Sequence, residues 1–216
     1  MALTIEVISD VVCPWCYIGK RRLEEALRMY QAEGMPAPAV RWRPYQLSPA
    51  VPASGVDRDS FVTEQFGVAG RDRIYTRVKA IGRAVGIDFA FEKIRRQPNT
   101  LAAHSLVSLA ETYGNQCSLV EALFNAFFVT CEDLSDEAVL LRLSVGAGLP
   151  EKAARATLAS AEVRKRVAAD ELETRKLGVQ GVPLFIFNRK IQLSGAQDPE
   201  SLLKAMKDSN GDMAAA

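Results

Sequence analysis

The sequence of 216 residues holds one histidine and four cysteines, and neither sign of charge prevails: 27 lysines and arginines face 26 aspartates and glutamates. That near-balance excludes the basic excess of proteins that track a phosphate backbone. A lone histidine removes most imidazole-rich zinc sites, and four cysteines are too few for a disulfide-stapled secreted scaffold. No stretch approaches the ~18 consecutive apolar residues of a membrane-spanning helix. Internal repeats and low-complexity runs are missing as well. The segment Met1 to Val7 enters a strand pattern without a basic region, a long apolar stretch or a small-residue cleavage site. No leader is therefore expected, and the cytoplasm is the expected location. Hydrophobic content of 48% and charged content of 25% suit one large globular domain, or one domain with an insertion.

What is present is concentrated in Asp10-Val11-Val12-Cys13-Pro14-Trp15-Cys16-Tyr17-Ile18-Gly19-Lys20. It follows an apolar run, Leu3 to Ile8, that reads as a strand. It precedes Leu23, Ala26, Leu27 and Tyr30, which recur at helical spacing. A Cys-x-x-Cys at such a junction puts the first sulfur at a helix start. There the free N–H groups and the positive end of the macrodipole favour a thiolate. Cys13 is expected to be the exposed nucleophile and Cys16, one turn further in, the partner that closes the disulfide. Pro14 suits the first helical turn, where its missing N–H costs nothing. A zinc half-site would need two more ligands at matching spacing, and covalent haem attachment would need histidine where Tyr17 stands. Neither condition is met, and no metal is expected; thiol–disulfide chemistry and a pair without an active role remain.

Further along, Gly34 to Pro38 breaks the first helix, and Ala39 to Leu47 reads as a second strand. A strand–helix–strand unit of this length implies a parallel crossover, with Pro44 marking an edge strand. From Ser48 to Ala161 only amphipathic helices are read. One is stopped by Gly67, one closed by Gly86, one capped at Asn99 or Thr100, one opened by Ser135 and one begun by Pro150. The helix from Ala161 to Leu177 carries a charge run read as a solvated face. A loop, a buried strand to Phe187, a hairpin turn at Asn188-Arg189 and a helix capped by Asp198 complete the pattern. Cys117 and Cys131 flank one helix, ~21 Å apart at 1.5 Å per residue, too far to bond to each other. Cys131 is the better candidate for an extra reactive thiol, against a default of burial.

This arrangement resembles the thioredoxin fold, an α/β unit (βαβ + ββα), here with the large all-helical insertion of the DsbA family. The redox motif, Trp42-Arg43-Pro44, Asn99-Thr100 with His104, Gly178 to Pro183, and Ser194-Gly195-Ala196-Gln197 resemble its FrnE-like branch. The resemblance implies a discontinuous thioredoxin-like domain, residues 1–48 and 162–216, around a helical insertion at 49–161. It implies a thiol–disulfide oxidoreductase or isomerase, with Cys13 attacking and Cys16 resolving. Pro183 matches the family's cis-proline, which would turn the Val182 backbone toward the cysteines to hold an extended peptide or glutathione. Pro14-Trp15 brings no extra cation, so an intermediate redox character is expected, with Trp15 as an apolar lip or a packing residue. His104 matches a family position, where it either steadies the thiolate or serves as a hydrogen-bonded core residue. No cofactor is implied beyond thiol or disulfide substrates, with glutathione a possible co-substrate; neither nucleic acid nor membrane is an expected partner. Two other classes stay open: a glutathione-dependent isomerase or transferase on small aromatic compounds, against which the intact cysteine pair counts, and a non-catalytic thioredoxin-like interaction module.

Overall fold

The alternation of apolar positions in Thr4–Ser9 buries Ile5 and Val7 and makes this segment the strand β1. The structure of the protein, a computed structural model, describes residues 3–176 and 178–210. The expected helix end at Leu177 and the tail beyond Asn210 lie outside the described residues. Helix α1 spans Pro14–Ala32, with Pro14 in its first turn. Its length returns the chain to β2, Ala39–Pro44, parallel to β1. Strand β2 is shorter than the expected Ala39 to Leu47, because it stops at Pro44 on the sheet edge, where a residue without an N–H is tolerated.

Closing the sheet are β5, Leu184–Phe187, antiparallel to β1, and β6, Ile191–Ser194, antiparallel to β5. The strand order is β2-β1-β5-β6. Asn188 and Arg189 both take positive φ, 48° and 57°, and the Lys190 N–H bonds to the Phe187 carbonyl at 2.9 Å, as a type I′ turn requires. Phe187 pairs with Ile191, so the loop holds three residues rather than the expected two. Helix α8, Pro199–Asn210, packs on α1 and is capped by Asp198, whose Oδ1 accepts the Ser201 N–H at 2.8 Å.

Between β2 and β5 lies the insertion. Helix α2, Arg58–Ala84, is broken at Gly67 (φ 67°), which separates the two helices expected on either side of that glycine. Then come α3 (Leu101–Glu111), α4 (Gln116–Phe128), α5 (Glu137–Gly146), α6 (Glu151–Ala159) and α7 (Ala161–Lys176). The insertion is helical, and it also carries a small antiparallel ladder, β3 (Val56–Asp57) with β4 (Arg96–Gln97). Two residues per strand are too few to leave an alternating pattern, which is why the sequence reading contains no strand there. Asp136, not Ser135, caps α5 by accepting the Ala138 N–H.

One hydrophobic core joins both parts. Tyr17 of α1 stacks on Phe124 of α4 at 5.0 Å, and its hydroxyl donates to Glu121 at 2.9 Å. Lys20, buried, bonds to Glu121 at 2.7 Å and also to Glu24. On the free edge of β2 the Gln116 side chain takes the Trp42 N–H at 3.0 Å and gives to the Trp42 carbonyl at 3.2 Å, satisfying backbone groups that would otherwise be orphaned.

The charged helix α7 is only partly solvated. Glu171 is buried and accepts the Gln46 N–H at 3.1 Å, while Arg175 bonds to Glu171, to the Tyr45 hydroxyl and to the Gln46 carbonyl, over the Tyr45 ring. The charge run thus contains a docking face for the chain after β2. The composition of the run hides it, because the partners lie ~125 residues earlier.

Candidate active site

Cys13 occupies the N-cap of α1, with extended backbone angles and Pro14 behind it in the first turn. Its carbonyl accepts the N–H groups of Cys16 (3.0 Å) and Tyr17 (3.3 Å), and its own N–H bonds to the Asp10 carbonyl at 3.0 Å. The side chain is left without a capping duty, at the end of a nineteen-residue helix whose dipole favours negative charge.

The sulfur points across the molecule to the start of β5. Cys13 Sγ lies 3.5 Å from the Val182 carbonyl oxygen, at the cis Val182–Pro183 bond. Pro183 is held in turn: its carbonyl accepts the Gly195 N–H at 2.8 Å. Helix and strand can approach this closely because position 19 has no side chain. A Cβ on Gly19 would come within 3.1 Å of both Pro183 and Phe185.

Cys13 was expected to be exposed and is instead 4% exposed. Its sulfur meets Val182, and the core that takes it in has Trp15 and Val182 packed against it, a tertiary effect that no spacing within the motif reveals. Cys16 is fully enclosed. Burial pushes its thiol well above the ordinary value, and the hydrogen bond and charge of Cys13 push the same way; Ser9 and the Asp10 backbone pull more weakly downward. Cys16 is therefore held as a thiol. The Ser9 hydroxyl is buried with no nitrogen or oxygen partner, beside that sulfur.

Behind the cysteines stands a polar pair that the motif only half announces. Asp10 is fully buried; its Oδ2 accepts the Leu47 N–H at 2.8 Å and its Oδ1 lies 3.2 Å from His104 Nε2. That nitrogen is also 3.1 Å from the Tyr45 carbonyl. Both neighbours are acceptors, so Nε2 carries the proton. His104 thus braces the loop that carries Cys13, and its hydrogen bonds go to that loop and to the chain after β2 rather than to either sulfur. The signal of the role of Asp10 is its burial, which is not readable from one sequence.

Over Cys13 opens a cavity of about 460 Å³, within the size range of small-molecule sites. Trp15, Phe61, Val78 and Val182 contribute apolar wall, and Leu47 and Phe66, each about half exposed, form the rim. Trp15 lines the cavity and carries Arg77 5.9 Å from its ring centre, so it is both lip and packing residue. Arg58 lines it too, and no sequence signal marked that residue.

Of the remaining cysteines, Cys131 is the less exposed, nearer the default of burial than the role of extra reactive thiol. Cys117 is exposed and accepts the Trp42 Nε1–H at 3.4 Å. Cys131 is half-buried and donates to the Ala90 carbonyl, and burial raises its pKa. Cys117 is thus the more available thiol. Among the described residues no three histidine, cysteine or acidic side chains are gathered closely enough to hold a metal ion.

Comparison with known proteins agrees with this architecture. The model of the family described as DSBA-like thioredoxin domain matches residues 4–207. The chain is 26% identical over 211 residues to the uncharacterized protein YwbO of Bacillus subtilis (strain 168), covering 96% of this chain and 98% of that one. A probable DsbA oxidoreductase from Streptomyces coelicolor has a similar structure, with a TM-score of 0.85 and 30% identity over 97% of this chain and 91% of that chain. The cytosolic disulfide reductase DsbM from Pseudomonas aeruginosa shares the fold at a TM-score of 0.62 and 18% identity, over 98% and 97% of the two chains.

Proposed function

From its place in the DSBA-like thioredoxin domain family, to which the chain belongs, we propose that this protein exchanges thiols and disulfides through Cys13 and Cys16. The observation that carries the reading is the meeting of the Cys13 sulfur, at a helix start, with the Val182 carbonyl 169 residues away. A substrate disulfide entering the cavity meets the Cys13 thiolate. Attack forms a mixed disulfide and releases one substrate thiolate. Cys16, on losing its proton, attacks the Cys13 sulfur; the internal disulfide forms and the second substrate thiolate leaves. Running backwards, the same steps oxidise a dithiol. In isomerisation a different substrate thiolate attacks the mixed disulfide instead of Cys16, forming a new substrate disulfide and expelling the Cys13 thiolate. The Val182 backbone supports this reading as a rest for the substrate chain beside the sulfur.

Motifs of the FrnE-like type, from Asp10 to Lys20 and from Gly178 to Pro183, support placement in that branch. An exposed Cys117 thiol outside the redox pair fits a reducing compartment, so we place the protein in the cytoplasm, with protein or small-molecule thiols, glutathione among them, as partners. The test is the Cys16→Ser variant. It should trap substrates as mixed disulfides on Cys13 that dithiothreitol releases. Absence of any adduct, with the variant folded, would overturn the exchange mechanism.

A further inference from the structure

Arg58, the first residue of α2, is only 9% exposed, yet it lines the cavity over Cys13. Its Nη1 bonds to Gln97 Oε1, its guanidinium lies 5.7 Å from the centre of the Phe127 ring, and the Tyr75 hydroxyl is a hydrogen-bonding neighbour that is not a carboxylate. Its Nε is buried with no hydrogen-bond partner, and among the described residues no carboxylate forms an ion pair with it. A desolvated cation with a spare donor and no counter-ion is costly, and native proteins rarely keep one without a use.

The charges around the cavity share one sign. Its walls carry two arginines, Arg58 and Arg77, and no aspartate or glutamate, in a chain whose overall charge is +1. Arg58 also borders a polar cleft on its other side, but the carboxylates there are engaged elsewhere. Asp57 accepts the Ser60 N–H as the cap of α2, Asp59 and Asp72 both bond to Arg71, and Glu92 bonds to Lys79. The missing counter-charge is therefore not supplied by the protein.

Building on the redox reading, we propose that the cavity binds an apolar thiol or disulfide bearing an anionic group such as a carboxylate, with the anion on Arg58 and the sulfur at Cys13. The apolar walls take the body of the ligand. Arg58 supplies a charge-assisted bond in a water-poor setting, where such bonds are strongest. Exchange then balances as above: the ligand disulfide gains the two electrons that the Cys13–Cys16 pair gives up as its own disulfide forms.

The test compares two aromatic disulfides on the reduced protein: 5,5′-dithiobis(2-nitrobenzoate), which carries carboxylates, and neutral 2,2′-dithiodipyridine. Arg58→Gln should slow reaction of Cys13 with the first about tenfold or more and leave the second within about twofold. Arg58→Lys should recover part of the loss. The selectivity should persist at high salt, which screens a diffuse surface field but not a buried contact. Equal slowing with both reagents, or no slowing with either, would overturn the proposal. A measurement on unmodified protein guards against a variant that fails to fold: 2-nitrobenzoate should slow alkylation of Cys13 more than nitrobenzene does at equal concentration, and equal protection would again overturn it. Wild-type Cys13 inert toward both disulfides would instead sink the redox reading itself.

Discussion

Replacing Asp10 by asparagine changes no shape but breaks the hydrogen-bond arithmetic beneath the redox loop. In the native protein both carboxylate oxygens face donors, the Leu47 N–H and the His104 Nε2–H, and the latter also faces the Tyr45 carbonyl. An asparagine can keep its oxygen toward Leu47 only by turning its NH₂ toward His104. The imidazole must then clash donor against donor, or move its proton to Nδ1 and set a bare Nε2 against the Tyr45 carbonyl. Either way one buried bond is lost and a charge-assisted one is weakened, a cost of roughly 2–4 kcal/mol. With an m-value of about 2 kcal/mol/M in urea, the unfolding midpoint should fall by about 1–2 M. The Asp10 carbonyl also anchors the Cys13 N–H, so the rate of Cys13 alkylation should change in the same variant. His104→Gln, which keeps a donor on a different geometry, should lose less stability. A midpoint for Asp10→Asn within about 0.3 M of wild type would refute this account.

Two other outcomes follow from the structure. Glu121→Gln removes the anion shared by Lys20, Arg21 and the Tyr17 hydroxyl, and should lower Tm by about 4–8 °C, on a loss of about 2 kcal/mol. Burial raises the Glu121 pKa, but the Lys20, Tyr17 and Arg21 contacts outweigh it and hold the carboxyl below its ordinary value. Its contribution is therefore present at neutral pH and lost as pH falls through the folded-state value. The wild-type and variant Tm curves should converge in acid, below the ordinary glutamate range, and parallel curves throughout would contradict the pairing. Arg189→Gly relieves an exposed side chain at φ 57° and should be neutral or stabilising by up to about 1 kcal/mol; a clear drop in Tm would argue against the turn.

The sequence by itself determined what depends on a few neighbouring residues. Cys13-Pro14-Trp15-Cys16 at a strand-to-helix junction, the Asp198 cap, the break at Gly67 and the turn at Asn188-Arg189 are all local chemistry, set by which backbone angles and caps those residues permit. The parallel crossover and the insertion were legible too, because element length and periodicity constrain how strands can pair. Tertiary structure alone decided which groups lose water. It enclosed Cys13 under Val182, turned Glu171 and Arg175 from a charge run into a docking face, and buried Asp10 against His104, 94 residues away. It also left Arg58 dry in the wall of the cavity, with its Nε unpartnered. Burial sums contacts from distant segments, so it leaves no period or spacing in the chain, and the thiol chemistry, the pKa of Cys16 and the charge of the cavity all follow from it.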